Sequence, residues 1–171
     1  RIKKNLKTLQ KWADKEHVTA YRVYDADIPE YNLAIDWYNG HLHVQEYAPP
    51  KTVNLEKAQQ RLQDALESLK RFFDIPFSYI HVKSRQRQKG ATQYQKLSET
   101  RRMLPIDEAG ALLLVNLDDY LDSGLFLDHR PTRVRMQSLS KGLRFLNLYC
   151  YTGAATVHAA IGGAKKTTSV D

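Results

Sequence analysis

The sequence predicts an α+β module followed by the opening of a doubly wound α/β domain that stops after its second strand. Three observations predict this fold class. Strand-like runs flank Asn39-Gly40, residues 53–73 show the apolar spacing of a long helix, and residues 143–170 read as strand, glycine turn, helix and strand. We place the boundary between the two parts at residue 122, which divides the chain into 1–122 and 123–171.

The elements of the first module follow from apolar spacing and turn chemistry. A helix is predicted over residues 5–18, and a hairpin turn at Asn39-Gly40, where both positions require positive φ. Residues 53–73 place their apolar side chains on one face of a helix, which Asp74-Ile75-Pro76 ends. The remaining runs predict strands at Tyr21–Tyr24, Tyr31–Tyr38, His41–Tyr47, Tyr79–Val82 and Ala111–Leu117. The module is therefore summarised as strand-strand-helix-strand-strand, ending near Leu121.

The second part begins with a basic helix and continues as a βαβ unit. Asp128 is a candidate N-cap with Pro131 in the first turn of a helix that extends to about Ser140. A buried-type strand over 143–149 leads to a tight turn at Thr152-Gly153. The helix Ala154–Ile161, the Gly162-Gly163 cap and the strand Thr167–Val170 complete the unit.

Composition and charge favour a soluble, nucleic-acid-binding protein. The formal net charge is +7, and residues 1–11 and 129–144 contain five basic residues each and no acid. No apolar run approaches the ~20 residues that a membrane span needs, so no membrane partner is expected. Cys150 is the single cysteine, which excludes an intrachain disulfide and indicates a reducing, cytoplasmic location.

The segment 83–102 is the predicted RNA-binding segment because it contains seven basic residues and only one acid, Glu99. Its cations would neutralise phosphates, and its tyrosine would stack on an unpaired base. The alternative is a solvated charged loop without a ligand. The candidate RNA-binding residues are Lys83, Arg85, Arg87, Lys89, Tyr94 and Lys96.

Two histidines two residues apart, His41 and His43, would face the same way on a strand. A metal site needs further ligands, and none stands at a suitable spacing. We therefore predict no metal site and assign both rings to packing.

The residues from Phe145 to Gly153 carry the most specific chemical pattern. Gly153 would let the backbone approach a nucleotide-like ligand at the end of a strand, and the following helix would present free N–H groups. Asp171, at the end of the next strand, is placed to accept hydrogen bonds from ribose hydroxyls. The pattern lacks G-x-G-x-x-G, which weakens a dinucleotide interpretation. An ordinary strand-turn-helix with a buried Asn147 is the alternative.

Several segments resemble a known family. Asn147-Leu-Tyr-Cys-Tyr-Thr-Gly153, with the later Gly162-Gly163-Ala164 and Val170-Asp171, resembles motif I and the following acidic position of class I rRNA methyltransferases. Gly124-Leu-Phe-Leu-Asp128-His-Arg130 is similar to the G-x-F-x-D-x-R segment of enzymes that methylate large-subunit rRNA. The resemblance to the C-terminal, guanine-N7 half of the bifunctional bacterial 23S rRNA methyltransferases is carried by segments 24–32, 46–51 and 87–96.

The resemblance implies a Rossmann-like methyltransferase domain that binds S-adenosylmethionine and acts on 23S rRNA. It implies direct methyl transfer to a guanine ring nitrogen that already holds a lone pair, so no deprotonating base is expected. The target-base motif of the family would lie beyond Asp171, so no catalytic residue is assigned and the fragment is expected to be inactive alone. The implied cofactor-binding residues are Phe126, Asp128, Arg130, Asn147, Tyr149, Tyr151, Thr152, Gly153 and Asp171.

Two other functions compete with a methyltransferase fragment. One is an RNA-binding module without catalytic activity of its own, and the other is a Rossmann-type, nucleotide-dependent enzyme such as an oxidoreductase. The single glycine turn and the basic segments disfavour the second. A βαβ unit with an uncovered sheet edge is also expected to self-associate.

Overall fold

A computed structural model of the protein describes residues 1–47, 54–85 and 96–171. Within these ranges no helix is both long and apolar enough to cross a membrane. The helices are α1 (Ile2–Lys15), α2 (Leu55–Phe73), α3 (Arg130–Leu139) and α4 (Ala154–Ile161). The strands are β1 (Ala20–Asp25), β2 (Leu33–Tyr38), β3 (His41–Tyr47), β4 (Ile80–Arg85), β5 (Leu104–Glu108), β6 (Ala111–Val115), β7 (Arg144–Leu148) and β8 (Lys166–Val170).

The first four strands form one sheet in the order β1-β2-β3-β4. β1, β2 and β3 are antiparallel neighbours, and β4 lies parallel to β3. A parallel pair needs a crossover, which α2 provides. The predicted hairpin between β2 and β3 is confirmed, because Asn39 and Gly40 have φ of 42° and 94°.

Helices α1 and α2 bury their apolar faces against this sheet. The side-chain oxygen of Asn54 accepts a hydrogen bond from Lys57 N at 3.1 Å and caps the start of α2, and Asp74 in the left-handed region ends it. Trp37 stacks on Phe73 with ring centroids 5.3 Å apart. The buried core here contains Leu6, Ala13, Val18, Tyr21, Val23, Tyr24, Leu33, Ile35, Leu42, Val44 and Leu69.

The predicted order strand-strand-helix-strand-strand is wrong for this module. Among its described residues, three strands precede α2 and three follow it, with α1 in front. Strand β5 was missed because Pro105 and the acids Asp107 and Glu108 obscure its pattern. Pro105 is tolerated there because edge strands accept a residue without an amide hydrogen.

The β5–β6 hairpin belongs to a second core. Its apolar side chains pack with Ala20 and Tyr38 of the first sheet and with Ala154 and Val157 of α4. The hairpin thus joins the first sheet to the C-terminal helices. The division of the chain at residue 122 stays a prediction.

The C-terminal βαβ unit is confirmed: β7 and β8 are parallel, and α4 connects them. Two local predictions are wrong. The N-cap of α3 is His129 rather than Asp128, which lies in a 3-10 turn over 127–129. The strand predicted to be buried is β7, but more than half of Leu146 and of Leu148 is exposed. The reason is that, among the described residues, β7 has β8 as its one neighbouring strand.

Candidate functional site

The turn from β7 into α4 has an unusual backbone. Tyr149 and Tyr151 have φ of 55° and 52°, a region that residues other than glycine seldom adopt. Gly153 follows at φ 78° as the N-cap of α4, and its N–H donates to Cys150 O at 2.9 Å. No described atom lies within 4 Å of the point where a side chain would begin at Gly153. A ligand can therefore approach this backbone closely.

Asp171 closes the same turn from the end of β8. Its carboxylate oxygen Oδ1 accepts a hydrogen bond from Tyr151 N at 2.9 Å. Beside it, Cys150 N donates to Val170 O at 3.1 Å, which fixes the ends of the two strands together. The other carboxylate oxygen of this exposed residue can accept hydrogen bonds from a ligand.

The side chain of Asn147 connects β7 to α4 through a hydrogen bond. Its side-chain amide donates to Thr156 Oγ1 at 3.0 Å, and Thr156 Oγ1 lies 2.7 Å from Ser169 Oγ. This row of three polar side chains connects both strands to the helix. Asn147 thus orients the turn and also lines the cleft beside it.

Phe126 lies opposite the turn after β7. The ring centroid of Phe126 lies 5.5 Å from that of Tyr151. Thr152 Oγ1 donates a hydrogen bond to Gly124 O at 2.8 Å, which joins the turn after β7 to the segment that contains Phe126. The turn and this segment enclose a cleft of about 230 Å³, called here the narrow cleft. Its lining residues are Gly124, Leu125, Phe126, His129, Thr132, Arg133, Met136, Asn147, Tyr149, Cys150, Tyr151, Thr152, Ala154 and Ala155.

The narrow cleft and its rim have the groups that an adenosine-containing cofactor requires. Phe126 and Tyr151 offer aromatic faces to a base, and Asp171 offers a carboxylate to ribose hydroxyls. The first turn of α4 presents backbone N–H groups that are not used inside the helix. The residues present therefore fit the predicted cofactor.

Two of the implied cofactor residues lie elsewhere. Arg130 turns away from the narrow cleft: its Nε donates to Glu108 Oε2 at 2.9 Å, its Nη2 donates to Ala20 O, and its guanidinium lies over the ring of Trp12. Asp128 has 82% of its side chain exposed. Both line a larger cleft, described below, which Phe126 also lines.

Arg130 instead belongs to a buried ionic cluster. Glu108, fully buried, also accepts hydrogen bonds from Arg133, and His158 Nε2 lies 3.2 Å from its Oε1. Burial alone would raise the pKa of Glu108, but His158 and the two guanidinium groups lower it to about 2. The cluster ties the β5–β6 hairpin to α3 and α4.

The prediction that Lys83 contacts RNA is wrong. Lys83 is only 8% exposed, and its ammonium donates to the backbone oxygen of Asp118. Burial lowers the pKa of Lys83, although Asp118 and Asp119 act against that shift. The side chain points into the fold because β4 alternates inward and outward residues.

The other predicted RNA-binding residues have mixed outcomes. Arg85 Nη2 pairs with Asp122 at 2.9 Å and its Nε donates to Gln45 Oε1, while Lys96 pairs with Glu99 at 3.0 Å. Arg87, Lys89 and Tyr94 lie outside the described residues. RNA binding by this segment stays a prediction.

A second, wider cleft of about 670 Å³ was not predicted from the sequence. The wide cleft lies between the first sheet and residues 122–130 and shares Leu125 and Phe126 with the narrow cleft. The sequence signal that could have indicated this cleft is the presence of polar residues in the middle of strands, because such positions are normally apolar. Its lining residues are Leu9, Trp12, Tyr21, Arg22, Asp25, Asp36, Tyr38, His43, Gln45, Tyr47, Arg85, Asp122, Ser123, Leu125, Phe126, Leu127, Asp128 and Arg130.

Comparison with known proteins decides the family. A model of the S-adenosylmethionine-dependent methyltransferases matches residues 22–171, which include both clefts' principal residues. The chain belongs to this family. The predicted cofactor, S-adenosylmethionine, is thereby confirmed at the level of the family, and the oxidoreductase alternative is wrong.

Among the described residues of this methyltransferase chain, no group of three or more His, Cys, Asp or Glu side chains could hold a metal ion.

Curated relatives carry the name ribosomal RNA large subunit methyltransferase K/L. Those of Hahella chejuensis and Pseudomonas fluorescens are 57% and 56% identical to this methyltransferase chain over all 171 residues. The chain spans 24% and 23% of their respective lengths. The expectation that it corresponds to a C-terminal half is therefore corrected: the matched region is about a quarter of these relatives and not their C-terminal half.

Solved structures agree with the family. A crystal structure of a methyltransferase complexed with SAH superposes with a TM-score of 0.75 at 26% identity, covering 99% of this chain and 42% of that one. A methyltransferase from Streptococcus mutans superposes with a TM-score of 0.71 at 27% identity, covering 99% of this chain and 44% of that one.

Proposed function

We propose that this chain provides the cofactor site and part of the RNA-binding surface of a cytoplasmic methyltransferase that methylates guanine N7 in 23S rRNA. The observation that carries the proposal is the turn after β7, where Gly153 begins α4 and Asp171 accepts a hydrogen bond from Tyr151 N, beside the narrow cleft that Tyr151 and Phe126 line. The names of the curated relatives support rRNA as the substrate. The segregated basic residues support a polyanionic partner.

Each residue around the narrow cleft has a separate role in the proposed site. Gly153 leaves room for the cofactor against the backbone, and Asp171 accepts hydrogen bonds from its ribose. Phe126 and Tyr151, whose rings lie against each other, offer an aromatic surface to its base. Asn147, through Thr156 and Ser169, is a positioning residue that keeps the turn in place.

S-adenosylmethionine supplies an activated methyl group on a sulfonium. Guanine N7 has a lone pair, so the acceptor needs no base to remove a proton. The protein's contribution is then to hold the target ring in line with the methyl group and to exclude water. The target base must leave its stack to reach such a site.

The proposal is tested with the full-length gene product, 23S rRNA that lacks the modification, and methyl-labelled S-adenosylmethionine. Digestion of the RNA to nucleosides should yield labelled 7-methylguanosine. Labelled N2-methylguanosine without labelled 7-methylguanosine would keep the family and overturn the N7 assignment. RNA binding without any labelled nucleoside would favour a binding module that has no catalytic activity of its own.

Asp171→Asn supplies the internal control for this assay. It should lower methylation at limiting cofactor and restore it at high cofactor concentration, because the change weakens cofactor binding and leaves the RNA surface intact.

A further inference from the structure

The wide cleft has a polar floor formed by adjacent strands. Asp36 on β2 is 2% exposed and accepts hydrogen bonds from Arg22 Nε at 2.8 Å and from Gln45 Nε2 at 3.3 Å. His43 on β3 is also 2% exposed and lies directly opposite Asp36 in the strand register. A floor of this kind costs free energy unless its polar atoms are used.

One atom of this floor is not used within the described part of the chain. Gln45 Oε1 accepts from Arg85, so the amide nitrogen of Gln45 is the group that faces His43 Nδ1 at 3.3 Å. Nδ1 is then an acceptor, which places the ring proton on Nε2. Nε2 of His43 has no hydrogen-bond partner among the described residues. The ring thus holds one buried N–H donor without an acceptor.

We propose that the wide cleft binds an unstacked guanine of the RNA substrate, with the N–H of His43 donating to the ring carbonyl O6. The inference rests on the proposed function, because it places an RNA base beside the cofactor cleft. It adds a base-recognition site on the N-terminal sheet that the cofactor residues do not include.

The shape and the walls of the cleft suit a nucleobase. A volume of about 670 Å³ lies within the range of small-molecule sites. Trp12 and Tyr47 supply aromatic surface for stacking. Phe126 belongs to both clefts, so a base in the wide cleft lies one side chain away from the cofactor site.

The charges of the cleft argue against a phosphate as the occupant. Arg22 and Arg85 are paired with acids of the lining, and Arg130 is paired with Glu108. The lining also contains four aspartates, which would repel a phosphate: Asp25, Asp36, Asp122 and Asp128. Aspartates accept hydrogen bonds from N–H groups such as those on the edge of guanine, whereas adenine presents an amino group where guanine presents O6.

Tryptophan fluorescence of the full-length gene product tests the proposal. Trp12 lines the cleft, and Trp37, the other tryptophan of this chain, stacks on Phe73 away from it. In a background where Trp37 and any tryptophan outside this chain are replaced by Phe, the protein is titrated with a single-stranded RNA pentamer that has guanine or adenine at its centre. The guanine pentamer should quench Trp12 and bind about tenfold more tightly than the adenine pentamer.

The variant His43→Phe keeps a ring and removes the donor, so it should abolish that preference. His41→Phe is the matched control, since His41 lies two residues away on β3, stacks on Tyr79 and is not part of the cleft lining. If His43→Phe does not fold, the Nε2–H resonance of the unaltered protein should shift on adding the guanine pentamer. Equal binding of both pentamers, or an unshifted resonance, would overturn the proposal. If the enzyme with either of those results still binds the cofactor and methylates RNA, the proposed function stays intact.

Discussion

The carboxylate of Glu108 is held by a bidentate pair from Arg133, with Nε 2.5 Å from Oε1 and Nη2 2.9 Å from Oε2. The pair connects the end of β5 to α3 through two residues that are 25 positions apart in the chain. Both side chains are almost completely buried. The ion pair therefore ties the β5–β6 hairpin to α3, and its Arg133 also lines the narrow cleft.

Replacing Glu108 with Gln should lower the free energy of unfolding by about 3 kcal/mol or more, because removing one partner leaves two guanidinium groups buried without their acid. Urea unfolding measures the change. Glu99→Gln is the control: this acid is exposed and, among the described residues, pairs with Lys96 at 3.0 Å, so the loss should stay below about 1 kcal/mol. Equal effects of the two substitutions would contradict the structural role of the cluster.

Replacing Gly162 with Ala should separate α3 from α4. A methyl group at Gly162 would lie 1.9 Å from the carbonyl oxygen of Gln137, and backbone cannot move aside as a flexible side chain does. We expect a loss of about 1–3 kcal/mol in thermal or urea unfolding. Ala160→Ser, an exposed change on the same helix, should alter stability by less than about 0.5 kcal/mol.

Replacing Asp171 with Asn should weaken binding of S-adenosylhomocysteine about tenfold or more, because hydrogen bonds to a charged acceptor are worth about 1.5–3 kcal/mol. Calorimetry on the full-length gene product measures this. Asp128→Asn is the matched control, since Asp128 is exposed and lines the wide cleft instead. A larger loss for Asp128→Asn would restore its predicted role and displace that of Asp171.

His43 predicts a pH dependence of stability. Burial, followed by the nearby charges of Lys83, His81, Arg85 and Arg22, lowers the pKa of His43 to about 3. Below pH 6.5 the unfolded chain binds a proton that the folded chain does not, so stability falls as pH decreases from 6.5 towards 3.

The difference between pH 6.5 and pH 5 should be about 2 kcal/mol from this group, at roughly 1.4 kcal/mol per pH unit. His43→Phe should remove that part of the loss in urea unfolding, and His129→Phe, at an exposed ring, should not. A pH profile unchanged by His43→Phe would show that the ring is solvated.

The helices and the hairpin could be predicted because their signals are local. The Asn39-Gly40 turn, the amphipathic face of α2 and the strand-turn-helix around Gly153 each depend on neighbouring residues. β5 was not predicted although a two-residue turn at Ala109-Gly110 joins it to β6, because Pro105 and the neighbouring acids obscure the apolar pattern of the strand.

The sequence by itself determined the turn between β7 and α4. Gly153 and Asp171 are specified by the strand, turn and strand-end chemistry in which they stand, and the structure brings both to one place. Only the tertiary structure decided which groups the charged residues contact. Lys83 is a buried partner of Asp118, and Arg130 is a buried partner of Glu108. The sequence shows that a side chain is charged, but it does not show whether the side chain will contact water, phosphate or a distant acid in the folded chain.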